Sequence, residues 1–398
     1  MKGSVLDRRR MLESSCAAGG LLLLKPATVF GSHANSAIEI GIVGCGNRGA
    51  WIAPLFVEHS GSHVAAVADL YPRRIEDFFR RTKLTVDPAR VYKGIRSGEE
   101  LIQSKLDAVV LEAAPYIFPT LANAAVKAGK HVFMAKPVAV DVPGCLEVKA
   151  AGAHARGKLN FLVDFQTRAQ DAFREAMQRV RRGDIGKIIL GQVSYNDTSI
   201  RPQPTEGLPP AEARMRNFYF YRALAGDLPL SRDIHVIDGA NFFLGAHPEK
   251  AMGIGRSNAH SVGDCHDNYI LTYWYPNDCV VAFSSTEFTT GYRDMCMRFY
   301  GTAGTLDAHY NGTVTIGGSN PWPGVQKDDT FRGGAVANIK AFIGAIRSGS
   351  VLNNVDDAVD STLSALLGRM AADSGRVVTW EEVLRDRQRL DPRVEEGA

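Results

Sequence analysis

The run Ile38-Glu39-Ile40-Gly41-Ile42-Val43-Gly44-Cys45-Gly46-Asn47-Arg48-Gly49 decides how the first half of the chain is read. It opens as a short, β-branched apolar stretch, the composition of a buried strand. Gly-x-Gly-x-x-Gly follows at once, and Trp51, Ile52, Leu55 and Phe56 then recur at helical spacing. Between a strand and a helix each glycine has a physical task. Gly44 permits a tight turn, Gly46 lets the backbone approach a pyrophosphate, and Gly49 lets helix and strand pack closely. The amides that open the helix, around Asn47 and Arg48, then face the anion.

Outward from that run, a second strand, Val64 to Ala68, ends at Asp69, 20 residues after Gly49. An acid at that point accepts hydrogen bonds from the adenosine ribose hydroxyls; the plainer alternative is an aspartate in a surface turn. Arg73 and Arg74 follow and could instead cradle a 2′-phosphate, so NAD or NADP both stand, with the Asp69 carboxylate leaning toward NAD. The alternation continues through a strand at Asp107–Leu111, a helix at Phe118–Ala128 stopped by Gly129, a strand at His131–Met134 and a helix at Val142–Ala155. Strands alternating with helices predict an α/β fold with a parallel, doubly wound sheet. After residue 185 the pattern changes. Lys187–Tyr195, Asn268–Tyr275, Val280–Thr286, Met297–Gly301 and Thr313–Ile316 read as strands without intervening helices. Helical patterns at Gly334–Ile346 and Asp357–Ala372 close the chain.

At 398 residues the chain suggests two or three domains. With 45% hydrophobic and 22% charged residues, wholesale disorder is excluded. A net charge of +3 without a long basic run argues against nucleic acid as a partner. Six cysteines, one of them Cys16 near the N-terminus, do not make a disulfide framework in so long a chain. No apolar run reaches the roughly 18 residues of a membrane span, so none is expected in the mature protein. Residues 1–36 read as an export leader: Lys2 and Arg8 to Arg10, then apolar Leu21 to Leu24, then Ser32-His33-Ala34 as a cleavage triplet. Asp7-Arg8-Arg9-Arg10-Met11-Leu12 resembles a twin-arginine signal, with Asp and Met where Ser and Phe are commoner. The expectation is an exported, periplasmic protein, or a cytoplasmic one if the leader does not function.

Ala128-Gly129-Lys130-His131-Val132-Phe133-Met134-Ala135-Lys136-Pro137 resembles the strand ending in Glu-Lys-Pro of the glucose–fructose oxidoreductase/inositol dehydrogenase (Gfo/Idh/MocA) family. The glycine fingerprint, Gln166-Thr167-Arg168, Ile234-His235-Val236-Ile237-Asp238 and Ser374 to Glu382 extend the likeness from Ile38 to about Leu384. The resemblance implies a Rossmann domain at 37–160 and a C-terminal α/β domain at 161–384. The second domain's large, mostly antiparallel open sheet would cover the nicotinamide and serve homo-oligomer contacts, as dimer or tetramer; a polar tail, 385–398, follows. It also implies an NAD(P)-dependent oxidoreductase acting on a carbohydrate: hydride moves between nicotinamide and a carbinol carbon of a sugar, polyol or glycoside.

Such a reaction needs a hydride acceptor and a group that takes the hydroxyl proton. Lys136 stands at the carboxyl end of a predicted strand, the edge where ligands bind. Partial burial and an oxidised nicotinamide would both depress its pKa. In the family this lysine contacts substrate and cofactor ribose, and Pro137 belongs to the same motif. His235 matches the family's catalytic histidine. Asp238, three residues on, can share a helix face with it and orient it, or be a plain helix-surface acid, as Asp233 can be an N-terminal helix charge. Gln166 and Arg168 could bind sugar hydroxyls or the carboxamide, or simply join the domains. Arg201 to Phe220, with its four prolines and with Tyr219, reads as a substrate-side loop. His260, Cys265, His266 and Asp267 invite a zinc reading, but their spacing matches no common site, so no metal is expected.

Three departures stand out. Ala135 replaces the family's Glu before Lys-Pro, and Ser231 stands where relatives carry an acid, which Asp233 compensates only if the backbone turns it inward. Tyr116 and Phe118 occupy a stretch where many relatives have histidines. Two alternatives therefore accompany the oxidoreductase: an NAD-dependent glycosidase that returns its cofactor unchanged, and a non-catalytic, dinucleotide-dependent sugar-binding protein.

Overall fold

The computed structural model describes residues 37–198, 200–259, 261–327 and 329–394. The leader expected at 1–36 lies outside them.

Six short strands form the first sheet: β1 Glu39–Val43, β2 His63–Asp69, β3 Val91–Lys93, β4 Ala108–Leu111, β5 His131–Met134 and β6 Phe161–Val163. Their order is β3-β2-β1-β4-β5-β6, and every pairing is parallel. Buried runs such as Ala108-Val109-Val110-Leu111 have no polar face because helices cover both sides. Helix α1, Asn47–Ser60, follows β1; α2, Phe118–Lys127, and α3, Val142–Ala155, follow β4 and β5. The sixth strand falls after the boundary expected at 160. Helix α5, Thr330–Ser348, also buries Ile339, Phe342 and Ile343 in the same cluster as Ile40, Phe56 and Phe133. The first layer therefore draws on distant sequence, because this face of the sheet must be covered.

The second sheet has nine strands: β7 Ile188–Asn196, β8 Lys250–Arg256, β9 Asn268–Tyr275, β10 Cys279–Thr286, β11 Asp294–Gly301, β12 Gly304–His309, β13 Gly312–Gly318, β14 Trp322–Lys327 and β15 Val378–Thr379. Their order is β14-β13-β12-β11-β7-β10-β9-β8-β15. All neighbours are antiparallel except β7 and β10, which run parallel. Alternation sorts the two faces. Tyr269, Leu271, Tyr273, Val281 and Phe283 point to the core, where α4, Ile234–Leu244, and α6, Val355–Ser374, pack. Met252, Ile254 and Ile270 stand on the opposite, exposed face. Strands β3, β8, β12, β14 and β15 escape sequence reading: Val91–Lys93 and Val378–Thr379 are very short, glycines interrupt Lys250–Arg256, and Gly304–His309 offers only Leu306 and Ala308 to the core.

Candidate functional site

Where the strands of the first sheet stop, they leave a row of polar residues along one edge: Asp69 at the end of β2, Gly44 after β1, Glu112 after β4, Lys136 beyond β5 and Asp164 after β6. Register sets their level, since Val43 pairs with Leu111, Leu111 with Met134, and Met134 with Val163. This is the carboxyl edge of an open α/β sheet, at the point where strand order reverses.

The glycines shape a cradle there. Gly44 has φ +100°, and a Cβ on it would stand 2.6 Å from the Glu112 backbone. A Cβ on Gly49 would lie 1.9 Å from the Gly44 carbonyl oxygen. Gly46 differs: nothing lies within 4 Å of where its Cβ would be. Helix α1 starts at that open space with no side-chain cap and no acid in its first turn, so its amides and dipole are left for an anion. These residues fit a dinucleotide. Asp69 accepts hydrogen bonds from the Cys45 N–H (2.8 Å) and the Tyr71 N–H (3.0 Å), which ties it to the loop; each oxygen keeps a further lone pair for a hydroxyl. Burial pushes its carboxyl up, and Arg74 is near enough to pull it down. Asn47 accepts a 2.9 Å hydrogen bond from Arg81. Glu212 and Arg216, in the excursion read as substrate-side, act electrostatically on Tyr71, so part of that excursion flanks the Asp69 end of the cradle.

Arg48 has a different task from the one its fingerprint position suggests. Its guanidinium is ion-paired with Asp164, sits 3.4 Å from Glu112, and lies over the rings of Trp51 (4.6 Å) and Phe331 (4.9 Å). Its side chain bridges the edge acids, while its backbone amide stays at the open end of the helix. Glu112 is wholly buried, neither oxygen receives a well-formed hydrogen bond, and burial pushes its carboxyl up to about 8. It stands level with Ala135, so a carboxyl group is present at this edge although position 135 lacks one. Asp164 is better served, accepting from Gln166 (2.6 Å) and Asn338 (2.8 Å).

Lys136, whose bond to Pro137 is cis, donates a 2.6 Å hydrogen bond from Nζ to the Ser231 carbonyl. Burial, with Arg48 and Arg232 nearby, lowers its ammonium to about 7. His235 is buried on α4 with its ring edge-on to Tyr310 at 5.4 Å, and its Nδ1 has no hydrogen-bond partner. Burial, then Lys136, Arg48 and Arg232, push its pKa well below the usual value, so it is neutral at pH 7. A π-helical turn, Pro229–Asp233, leads into α4 and turns Asp233 inward. Asp233 is fully buried, accepts a 2.7 Å hydrogen bond from Ser285, and adds negative potential at Lys136.

Three expected site residues are placed elsewhere. Asp238 neither orients His235 nor reaches the surface: it is fully buried and takes Arg168 Nε on both oxygens, at 2.9 and 3.1 Å, with Ser361 at 2.7 Å. Arg168 also binds Asp357 at 3.0 Å, so it is an internal strut and not a substrate donor. The turn of helix that aligns 235 with 238 in sequence loses to the charge of Arg168. Gln166 is likewise internal, held between Asp164 and the Tyr310 hydroxyl (3.1 Å). Tyr219 is 40% exposed, within electrostatic reach of Arg48, Arg232 and Glu112.

Sequence reading missed Glu112, Asp164, Arg232 and Tyr310. The first two directly follow strands, and the rule that ligands gather at carboxyl edges would have flagged them. Arg232 has no local signal. It pairs with Asp197 and with Glu287 (3.1 Å), which follow the parallel strands β7 and β10, and donates to the Thr198 carbonyl (3.1 Å). A cavity of about 440 Å³ opens beside it, lined by Thr198, Arg201, Pro202, Phe288 and Thr289. Of the residues weighed for zinc, His260 lies outside the described set. His266 Nδ1 meets Arg222 and Tyr269, and Asp267 accepts from Asn258 and Ala259.

Residues 38–163 match the family described as "Oxidoreductase family, NAD-binding Rossmann fold", and residues 173–307 match "GFO/IDH/MocA C-terminal domain". Together these stretches take in well over half of the chain. The chain belongs to the Gfo/Idh/MocA family. Among curated relatives, inositol 2-dehydrogenase of Acidothermus cellulolyticus is 28% identical over 249 residues, 62% of this chain and 65% of that protein. The 2,7-anhydro-N-acetylneuraminate hydratase of Escherichia coli is 24% identical, over 60% of this chain and 59% of that protein. The chain thus spans under two thirds of the length of these relatives. A solved levoglucosan dehydrogenase, in complex with NADH and levoglucosan, shares the fold with a TM-score of 0.70, at 18% identity, covering 86% of this chain and 99% of that one. This Gfo/Idh/MocA member keeps the NAD-binding Rossmann domain and the large second sheet of its family.

Proposed function

We propose that the protein is an NAD-dependent oxidoreductase that moves hydride between nicotinamide and a carbinol carbon of a sugar or polyol. The observation that carries this is Lys136: a lysine at the cofactor edge, lowered to about 7 and hydrogen-bonded to a carbonyl that cannot take its proton away. NAD supplies the hydride acceptor when bound. The cradle at Gly44, Gly46 and Gly49 holds its pyrophosphate, and Asp69 its adenosine ribose; the carboxylate there favours NAD over NADP. Lys136 is part neutral at pH 7 and takes the proton from the substrate hydroxyl. His235, neutral and with Nδ1 free, accepts a hydrogen bond from a neighbouring hydroxyl. Arg48 and Arg232 add to burial in disfavouring the protonated form of both groups. Arg201 and the cavity beside Arg232 face the substrate side.

A second reading rests on Glu112. A carboxyl raised to about 8 holds a proton at neutral pH and can donate it, as a redox-neutral cleavage or hydration at the same site requires. The hydratase among the relatives supports it. Oligomer formation through the exposed face with Met252, Ile254 and Ile270, and export through the twin-arginine leader, complete the proposal.

Native mass spectrometry of purified protein, followed by a panel of inositols, anhydrosugars and aryl glycosides, tests it. Stoichiometric NADH formation supports the dehydrogenase. Product without net NADH supports the second reading. Sugar binding without any product refutes both and leaves a binding protein.

A further inference from the structure

On the outer face of the second sheet, β11 and β12 bring together Asp294, Cys296, Asp307 and His309, none of them among the residues weighed for zinc in the sequence. Cys296 and His309 are direct cross-strand partners, so their side chains leave the sheet on one face. Asp294 lies two residues before Cys296 and shares that face, as Asp307 does with His309. Donor atoms of Asp294, Cys296 and His309 lie within 4.8 Å of one another. His309 Nδ1 is 2.8 Å from Asp294 Oδ1, and His309 Nε2 is 3.3 Å from Asp307 Oδ1. Asp307 is itself held by Arg298 Nε at 2.9 Å.

We propose that Asp294, Cys296 and His309 bind one borderline divalent cation of the zinc type. The donor set is one oxygen, one sulfur and one imidazole nitrogen, which suits tetrahedral zinc with a water in the fourth position. Charge closes: a thiolate and a carboxylate neutralise the dication, and binding releases the one proton of the Cys296 thiol. Asp307 is the outer partner. Without the cation Nδ1–H donates to Asp294 Oδ1; on binding, the imidazole proton moves to Nε2, 3.3 Å from Asp307 Oδ1, and Nδ1 presents its lone pair, the carboxylate–histidine–metal arrangement of protein zinc sites. Arg298, the nearest cation, is occupied by Asp307 and so stabilises this arrangement instead of competing for the metal position. The hydroxyl of Tyr292 donates to Asp294 Oδ2 at 3.3 Å, and Ser194 on β7 is the cross-strand partner of Cys296.

The placement has a consequence for the other face. His309 is the last residue of β12, and Tyr310 follows it, its N–H donating to the Met295 carbonyl at 2.8 Å. Tyr310 meets His235 and donates to Gln166. A cation at 294, 296 and 309 therefore clamps the strand ends that carry the aromatic support of His235.

The test is a cobalt(II) titration of the full chain after chelator treatment, with zinc read by native mass spectrometry. The expected result is one ion per chain and a near-ultraviolet thiolate-to-cobalt absorption. Cys296→Ser loses that absorption, and His309→Gln, its fold checked by circular dichroism, weakens binding more than about tenfold. Absence of the absorption in the wild type, or unchanged uptake in both variants, overturns the assignment.

Discussion

Lys136 Nζ donates a 2.6 Å hydrogen bond to the Ser231 carbonyl, and this contact joins the carboxyl edge of the first sheet to the π-helical turn of the second half. The bond fixes the lysine without a counter-ion. Asp233 and Asp164 only partly compensate its charge, and burial, with Arg48 and Arg232 nearby, lowers it.

Replacing Lys136 by Met removes the proton acceptor and leaves the glycine cradle intact. Turnover should fall by about 10²–10⁴-fold, with NAD affinity changed little. Steady-state rates together with calorimetric NAD titration check the pair of outcomes.

The pH profile follows from the sign of the shift. A base lowered to about 7 is protonated and inactive below that value, so the oxidation rate should rise through pH 7 and level off above it. Arg48→Gln removes a cation that disfavours the charged lysine, so the rising limb should move to higher pH. Initial rates across pH 5.5–9.5, a range of roughly four pH units around the limb, decide it; a limb that stays in place argues against Lys136.

Glu112 titrates in the opposite sense. Its folded carboxyl is raised to about 8, so the folded chain binds a proton that the unfolded chain has already released. Its contribution to stability is complete below the ordinary glutamate range, about 4.3, and is lost as pH rises through 8. Melting temperatures of the wild type should therefore fall across that window relative to Glu112→Gln, with the two converging in acid.

The glycines separate fold from function. Gly49→Ala places a Cβ 1.9 Å from a carbonyl oxygen and should destabilise the chain by several degrees in thermal unfolding. Gly46→Ala meets nothing in the protein, should melt within about 2 °C of wild type, and should lose more than tenfold in NAD affinity.

Asp238→Asn tests the corrected role. Losing one partner of a buried ion pair costs about 3–5 kcal/mol, so chemical denaturation should show a large loss. The pH limb assigned to Lys136 should stay where it is, which a residue orienting His235 would not allow.

Much of the architecture is legible locally. The glycine spacing after Ile38–Val43, and the switch from alternating strands and helices to successive strands after residue 185, come from short-range sterics and hydrophobic period. Those forces act within a few residues, so a linear reading captures them. Lys136 and His235 were legible through motif position, and the structure brings them into one electrostatic cluster.

Pairing of charges was decided only in three dimensions. Asp238 looks like a partner of His235 at a spacing of three, yet Arg168, 70 residues away, takes it. Arg48 stands in the glycine fingerprint, yet its guanidinium is held by Asp164 and Glu112, far along the chain. Cys296 and His309 become neighbours only because β11 and β12 pair in one register. Strand and turn propensities were set by the sequence itself because each residue carries its own backbone preferences. Ion pairs and donor clusters were left to the tertiary fold because a buried charge seeks the nearest opposite charge in space, whatever the separation along the chain.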